Sequence, residues 1–157
     1  MLSEYDFVFT NGDNTDFEML CHMLDENLDE LVGKQFQREI YKKYNRRDSI
    51  HDVILIYHKN VAIACGAFKK FDEKQAELKR VFLKQEFRGK GLATLLISQL
   101  EQAAREKGFD TMILETGEPL VAATKRYEKL GYHRISNYGQ YVDMPNSICM
   151  SKLLKEQ

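Results

Sequence analysis

The sequence has almost no net charge, no long apolar run and no recognisable leader. Its 157 residues include 23 Lys and Arg against 24 Asp and Glu, a formal net charge of −1. Bulk electrostatics therefore gives no case for a nucleic acid or an anionic membrane as partner. No apolar run reaches the roughly 18 residues of a membrane span, and the first residues lack the basic and apolar regions of a signal peptide. We expect a cytoplasmic protein that binds neither nucleic acid nor membrane.

Cysteine and histidine are sparse and carry no metal or disulfide pattern. The cysteines are Cys21, Cys65 and Cys149. Because they are scattered and odd in number, they argue against a disulfide framework and for a reducing compartment, with buried thiols. The histidines are His22, His51, His58 and His133. Their positions lack metal-ligand spacing, so no metal is expected.

The remaining composition, 43% apolar and 30% charged, is that of one globular domain spanning residues 1–157. Its hydrophobic periodicity predicts the element order β-α-α-β-β-β-α-β-α-β-β. The predicted strands are 6–10, 53–57, 61–68, 76–83, 112–115, 132–135 and 148–153, and the predicted helices are 15–32, 35–44, 92–107 and 119–130. The three consecutive middle strands and the later strand–helix–strand unit predict a mixed α/β sheet with one right-handed parallel crossover.

Local signals mark the helix ends. Thr15 and Glu18 form a capping-box pattern, which predicts that the first helix starts at Thr15. Pro119 suits the first position of the last helix. Glycine is placed to end three of the helices, at Gly33, Gly108 and Gly131.

A glycine-bearing turn, Arg88-Gly-Lys-Gly-Leu-Ala93, lies between the strand 76–83 and the helix 92–107. Free amides and the dipole at a helix N-terminus favour a phosphate. Gly89 and Gly91 lack the Cβ atoms that would hold a ligand off the backbone. The turn therefore predicts a site for a pyrophosphate-bearing ligand.

Alone, this turn is weak support for such a site. A dinucleotide-binding fingerprint would come early in the chain with an acidic residue about 20 positions on, and a phosphate-binding P-loop has a different spacing. Neither pattern is present. An ordinary strand-to-helix turn explains the residues equally well.

The surrounding sequence resembles a known superfamily. Residues 81–93 resemble the cofactor motif of the GNAT N-acetyltransferases, in which Arg or Gln precedes Gly by three residues and Gly or Ala by five; Arg88, Gly91 and Ala93 match it. Residues 123–132, which read ATKRYEKLGY, resemble a second segment of these proteins. With the element order, the resemblance covers nearly the whole chain. It implies the GNAT fold, an α/β (α+β) architecture with a mixed central sheet of about seven strands and helices on both faces.

The sequence departs from the superfamily pattern at two places. Leu120 stands where many members carry Asn, seven residues before the tyrosine of the second segment. This removes one polar contact expected beside the pantetheine arm. The stretch 81–87 also lacks a proline that many members have, which we expect to be harmless.

The resemblance implies transfer of an acetyl group from acetyl-coenzyme A to a primary amine by direct attack. In such an arrangement the strands before and after the long helix, 76–83 and 112–115, splay apart to admit the donor. The pantetheine would pair with the strand edge. The cofactor-binding residues implied are Val81, Phe82, Leu83, Arg88, Gly89, Lys90, Gly91, Leu92, Ala93 and Thr94.

The resemblance also implies catalytic roles. Tyr127 matches the position of the acid that protonates the leaving thiolate. Glu77 is the expected base, with Glu115 or a chain of waters as alternatives. A backbone N–H near Phe82 is expected to stabilise the developing oxyanion. The loop that carries Tyr138, Tyr141 and Asp143 is expected to close over the acceptor.

Two classes of function remain open at this stage. One is an enzyme that acetylates a small molecule, an amino acid or a peptide. The other is a coenzyme A-binding sensor or interaction module with weak or no catalysis, which Leu120 favours slightly. The acceptor cannot be deduced, because fold does not fix substrate. Superfamily members often dimerise, so a homodimer is a further expectation.

Overall fold

The computed structural model describes residues 4–32 and 50–154. The predicted second helix, 35–44, and the predicted helix stop at Gly33 lie outside these ranges. Within them, the order of strands and helices agrees with the sequence prediction.

Seven strands form one sheet in the described part of the chain. They are β1 (Tyr5–Thr10), β2 (Asp52–His58), β3 (Val61–Lys70), β4 (Gln75–Leu83), β5 (Thr111–Gly117), β6 (His133–Ile135) and β7 (Ser147–Leu153). The helices are α1 (Thr15–Val32), α2 (Leu92–Glu106) and α3 (Val121–Lys129).

The sheet is mixed, as the sequence predicts. Its strand order is β1-β2-β3-β4-β5-β7-β6. The pair β4 and β5, joined through α2, is parallel, and every other neighbouring pair is antiparallel. Pairing of β4 with β5 is confined to residues 75–77 and 111–113, although both strands continue beyond them. The sheet therefore opens between its two central strands.

Short-range chemistry explains the β2–β3 hairpin. Its two turn residues, Lys59 and Asn60, have φ angles of 49° and 67°. Two consecutive left-handed residues give a turn whose twist matches that of the flanking strands.

The start of α1 corrects the predicted capping box. The side chain of Asn14, not Thr15, caps the helix, because its Oδ1 accepts hydrogen bonds from the N–H groups of Asp16 at 2.8 Å and Phe17 at 3.0 Å. These are the second and third amides of the helix, which have no carbonyl partner within it.

The first helix begins at Thr15, as predicted, but the last helix starts later than predicted. Its N-cap is Leu120, and Pro119 precedes the helix instead of occupying its first position. Gly108 and Gly131 follow α2 and α3 with φ angles of 95° and 100°. The left-handed conformation confirms that these two glycines end their helices.

Helices cover both faces of the sheet. On one face, α2 packs Leu92, Leu96 and Leu100 against buried strand residues that include Ile54 and Met112. The fit is close, because a Cβ at Gly66 of β3 would lie 2.7 Å from Leu100 Cδ1.

On the other face, α1 packs Phe17 and Leu20 against Val53, Leu55 and Cys65. Burial of each such side chain contributes about 1.5–3 kcal/mol. All three cysteines are buried and free, as predicted.

None of the helices in the described ranges is long and apolar enough to cross a membrane.

Candidate active site

Strand β4 contains a β-bulge where it pairs with β3. Cys65 of β3 pairs with Phe82 and Ala67 pairs with Lys79, so two steps along β3 oppose three along β4. Arg80 lies within this bulge and has a φ angle of 58°. A non-glycine residue in that conformation costs about 1–3 kcal/mol, and it persists only where the surroundings hold it.

The side chain of Arg80 provides that support. Its guanidinium Nη2 donates to the carbonyl oxygen of Cys21 at 3.0 Å and pairs with Asp25 Oδ1 at 3.0 Å, both in α1. The Cys65 thiol lies 3.2 Å from the carbonyl oxygen of Arg80 and donates to it. Helix α1 thus anchors the bulge that bends β4 at the cleft.

The bulge was not predicted from the sequence. No residue type in β4 marks it. The available signal is Gly66, a single glycine inside an apolar strand, which stands opposite the bulge in the register with β4.

A cleft of about 360 Å³ lies where β4 and β5 diverge. One wall is the end of β4 from Glu77 to Leu83, and the other is the end of β5 with the start of α3. Leu24 and Leu28 of α1 contribute apolar surface at one side. The structure therefore brings the predicted pantetheine strand, the start of α2 and the predicted catalytic residues to one cavity.

The glycine turn has the backbone conformation that its residues suggest. Gly89 and Gly91 have φ angles of 82° and 81°. A Cβ at either position would meet no protein atom within 4 Å, so the φ angle, not protein space, requires glycine. Gly91 caps α2 with no side-chain hydrogen bond. The first amides of α2, at Leu92, Ala93 and Thr94, have no carbonyl partner within the helix and suit an anion.

The predicted cofactor-binding residues divide into two groups. Five of them line the cleft: Val81, Phe82, Leu83, Arg88 and Ala93. The others build the turn and the first helical turn of α2: Gly89, Lys90, Gly91, Leu92 and Thr94. The Leu92 side chain is in the core, so it can offer only its amide.

Arg88 ties the turn to the strand. Its Nε donates to the carbonyl oxygen of Leu83 at 2.9 Å, and its guanidinium carbon lies 5.9 Å from the centroid of the Phe82 ring. Lys90, in contrast, extends over the Phe87 ring with Nζ 5.7 Å from its centroid. Arg88 therefore both positions the turn and brings positive charge to the cleft.

Glu77 lies in the cleft wall and is 2% exposed. Its Oε2 accepts a hydrogen bond from the Tyr138 hydroxyl at 2.7 Å, and its Oε1 lies 3.7 Å from Lys79 Nζ. Both carboxylate oxygens thus have partners within the protein.

Glu115 faces the same space from β5. Burial raises the pKa of the Glu115 carboxyl to about 7, with a smaller contribution from the charge of Glu77. A hydrogen bond from Ser147 and the charge of Lys79 oppose that rise in pKa. A carboxyl group with this pKa can gain or lose a proton near neutral pH.

Tyr127 lines the cleft from α3. Burial raises the pKa of its phenol to about 12, so the hydroxyl keeps its proton at neutral pH. Its ring packs edge-on against Tyr132, with ring centroids 5.7 Å apart. The Tyr132 hydroxyl donates to Glu101 Oε2 at 2.8 Å, which fixes the ring behind Tyr127.

The loop at 136–146 contributes Tyr141 and Asn146 to the lining of the cleft. The Asn137 side-chain amide donates to the carbonyl oxygens of Tyr141 at 3.2 Å and Met144 at 3.1 Å. Tyr141 is 2% exposed and lines the cleft, and Tyr138 reaches Glu77. Asp143 is exposed and is not part of the cleft wall.

Leu120 caps α3 without a side-chain hydrogen bond and lines the cleft. Its side chain adds apolar surface at the position where the superfamily pattern has an amide. Among the residues described, no group of three or more His, Cys, Asp or Glu is placed to hold a metal ion.

A mixed sheet whose two parallel strands diverge around a cleft, with a glycine turn at the start of the following helix, is the arrangement of acyl-coenzyme A N-acyltransferases. The acetyltransferase (GNAT) family matches residues 17–132. The chain belongs to this family.

Solved structures agree with this assignment. A Klebsiella pneumoniae protein, provisionally named an acyl-coenzyme A N-acyltransferase, is 27% identical with a TM-score of 0.80, over 96% of this chain and 98% of that one. The PaiA N-acetyltransferase of Thermoplasma acidophilum, solved in complex with coenzyme A, has a TM-score of 0.72 at 18% identity, over 95% of this chain and 98% of its own. At that identity the similarity concerns the fold alone.

Curated relatives are also N-acetyltransferases by name. The uncharacterized N-acetyltransferase YsnE of Bacillus subtilis is 30% identical over 92 residues, which are 57% of this chain and 61% of YsnE. An uncharacterized N-acetyltransferase of Schizosaccharomyces pombe is 26% identical over 142 residues, 88% of this chain and 86% of that protein. The match thus spans about three-fifths of the Bacillus relative's length.

Proposed function

We propose that this protein is an acetyl-coenzyme A-dependent N-acetyltransferase that acetylates a primary amine by direct attack. The observation that carries the proposal is the divergence of β4 and β5 around a cleft that has the glycine turn beside it and Glu115 in its wall. Family membership supports the same activity. The acceptor class stays open between a small molecule, an amino acid and a peptide.

The residues present fit the acetyl donor. The amides at the start of α2 suit the pyrophosphate, and Arg88 adds a positive charge beside them. Beyond Glu77, β4 has no pairing with β5, so its edge is available to the amides of a pantetheine arm. When bound, acetyl-coenzyme A supplies the acetyl group as a thioester and carries away the thiol.

Glu115 is the proposed base. A free alkylamine has a pKa of about 10.4, so it reaches the site mainly as an ammonium and must lose a proton before it attacks. Glu77 already accepts from Tyr138 and lies near Lys79. Glu115, whose pKa is about 7, is better suited to take that proton at neutral pH.

Tyr127 is the proposed acid. It keeps its proton at neutral pH, since the pKa of a phenol lies well above that pH and burial raises that of Tyr127 further, to about 12. It lines the cleft opposite β4, where it can protonate the departing thiolate. Because a thiol has a pKa of about 8.5, the thiolate is a fair leaving group and this acid accelerates the reaction without being indispensable.

The bulge in β4 supplies the proposed stabilisation of negative charge. Phe82 pairs with Cys65, whereas Arg80 and Val81 have no register partner in β3. The backbone N–H of Val81, next to the predicted Phe82, is therefore the proposed donor to the thioester oxygen. A fixed backbone donor in a water-poor cleft stabilises such charge strongly.

Release of free thiol from acetyl-coenzyme A, measured with a panel of small amines, amino acids and peptides, tests the proposal. We expect release that depends on one class of amine, with an equal amount of acetylated amine found by mass spectrometry. Tight coenzyme A binding without amine-dependent release would overturn the enzyme proposal. It would favour the coenzyme A-binding module, to which the apolar Leu120 in the cleft wall lends some support.

A further inference from the structure

A buried lysine side chain lines the cleft. Lys79 of β4 lines the cavity, and its side chain is only 5% exposed. Lysine is rarely buried to this degree, because desolvation of an ammonium is costly. Lys79 Nζ lies 3.7 Å from Oε1 of Glu77. A primary amine of the protein thus occupies the region where the proposed substrate amine must bind.

The surroundings of Lys79 increase the fraction of its amine that is neutral. Burial lowers the pKa of its ammonium, and the charges of Glu77 and Glu115 only partly oppose this effect. The positive charges of Lys69 and Arg80 lower the pKa further. Only a neutral amine has the lone pair that attacks a carbonyl, so Lys79 is a better nucleophile than an exposed lysine.

The position of Lys79 along β4 places it within reach of the proposed reaction centre. Val81, the proposed backbone donor to the thioester oxygen, is two residues further along the strand, and the bulge at Arg80 keeps the two within the about 6.6 Å of an extended chain. A lysine side chain is long enough to cover that distance. Glu77 lies beside its Nζ to accept a proton.

We propose that Lys79 is an internal acetyl acceptor, which the enzyme acetylates when no external amine occupies the cleft. This inference rests on the proposed function. The Lys79 ammonium first passes one proton to Glu77. A bond then forms between Nζ and the acetyl carbon while the carbon–sulfur bond breaks. The departing thiolate takes up the second proton that the nitrogen loses, Glu77 returns the first to the solvent, and the products are Nε-acetyl-lysine and coenzyme A.

Acetylation would change the acceptor site. The modified side chain carries no charge, so its ion pair with Glu77 ends. The added acetyl group also fills part of a cavity of about 360 Å³. The modified enzyme is therefore expected to acetylate external amines more slowly than the unmodified enzyme.

Mass spectrometry of the full chain, incubated with acetyl-coenzyme A and no amine, tests this inference. We expect one acetyl group per chain, located by proteolysis and fragmentation at Lys79. Proximity should make acetylation at Lys79 at least about tenfold faster than at Lys125, an exposed lysine of α3. Free coenzyme A in excess should suppress the modification, because it competes for the donor site.

Matched variants separate enzymatic from chemical acetylation. Lys79→Arg keeps the positive charge near Glu77 and should abolish the single modification, whereas Lys125→Arg should leave it unchanged. If Lys79→Arg does not fold, the wild-type chain still tests the inference, because excess free coenzyme A should suppress an enzymatic acetylation of Lys79. Acetylation spread over exposed lysines, or equal acetylation of Lys79 in the heat-denatured chain, would overturn the inference.

The two proposals can fail separately. If external amines are acetylated and Lys79 is not, the inference about Lys79 is wrong and the proposed function stands. If neither reaction occurs, the proposed function fails with it.

Discussion

Glu77 and Glu115 both line the cleft, but their surroundings suit them to different chemical roles. Glu77 accepts from Tyr138 at 2.7 Å and lies 3.7 Å from Lys79 Nζ. Burial raises the pKa of Glu115 to about 7, although the hydrogen bond from Ser147 and the charge of Lys79 lower it. The sequence predicts both as candidate bases and places Glu77 first. Only the packing of the loop at 136–146, which brings Tyr138 onto Glu77, separates them.

The base can be tested by the pH dependence of the rate. Only ionised Glu115 can accept a proton, so kcat/KM should rise as the pH increases through about 7. Glu115→Gln should lower kcat/KM about 100-fold at pH 8 and lose this rise. The ratio of wild-type to variant rates is the quantity to measure, because it cancels the titration of the amine. A ratio that does not change with pH would contradict the assignment of Glu115.

The acid can be tested at Tyr127. Tyr127→Phe keeps the ring against Tyr132 and removes only the hydroxyl, so the melting temperature should change little. The turnover number should fall by about 10- to 100-fold, toward the low end of general acid catalysis, because the thiolate is a fair leaving group. Steady-state kinetics and thermal unfolding of the same preparation measure both quantities. Unchanged turnover would show that Tyr127 serves packing alone.

At the scale of elements, the parts that follow local rules were predicted and those that depend on distant contacts were not. The β2–β3 hairpin and α2 follow from residue periodicity and glycine positions. The cap of α1 is one residue earlier than predicted, since Asn14 and Thr15 are both good caps and only the observed hydrogen bonds decide. The bulge at Arg80 depends on Cys21 and Asp25 in α1, far away in sequence. No pattern within β4 predicts it, and the available sequence signal is Gly66 on the neighbouring strand.

The two glycines that flank α2 permit a test with a matched control. Gly91 precedes α2 with a φ of 81° and Gly108 follows it with a φ of 95°, and a Cβ at either would meet no protein atom within 4 Å. Alanine at each should therefore cost about the same, roughly 1 kcal/mol of unfolding free energy.

The two variants should differ in ligand binding. Gly91→Ala should weaken coenzyme A binding, because it disturbs the amides proposed to hold the pyrophosphate, and Gly108→Ala should not. Calorimetric titration with coenzyme A, beside denaturant unfolding of both variants, measures the difference. Equal affinities in the two variants would argue against a phosphate site at this turn.

At the scale of the whole molecule, the family could be recognised from the sequence because the chain carries two motifs at their usual spacing. The structure places these two motifs on opposite sides of one cleft. Arg88 and Tyr127 are far apart in the chain, and both line that cavity. The fold class followed from the same resemblance and from the element order. The charge and shape of the cleft around Glu115 did not, because Lys79, Glu115 and Tyr141 come together only through the tertiary fold.

The free energy of unfolding should depend on pH through the ionisation of Glu115. Its pKa is raised from 4.5 to about 7, so between these pH values the folded chain binds a proton that the unfolded chain has lost. The stability that the protonated carboxyl contributes is fully present below pH 4.5 and is lost as the pH rises through 7. Glutamine cannot ionise, so Glu115→Gln should gain stability relative to wild type between pH 5 and pH 8.

Urea unfolding of both proteins at these two pH values provides the measurement. A stability difference between wild type and Glu115→Gln that is the same at both pH values would contradict the raised pKa.

The central claim is that the cleft between β4 and β5 holds the acetyl donor. The most direct test is a titration of the ¹⁵N-labelled chain with acetyl-coenzyme A, followed by amide NMR shifts. We expect the largest shifts in two short stretches of backbone, at Val81, Phe82, Leu83, Leu92, Ala93 and Thr94. Shifts centred elsewhere, for example on the edge strands β1 and β6, or no saturable shifts at all, would contradict it.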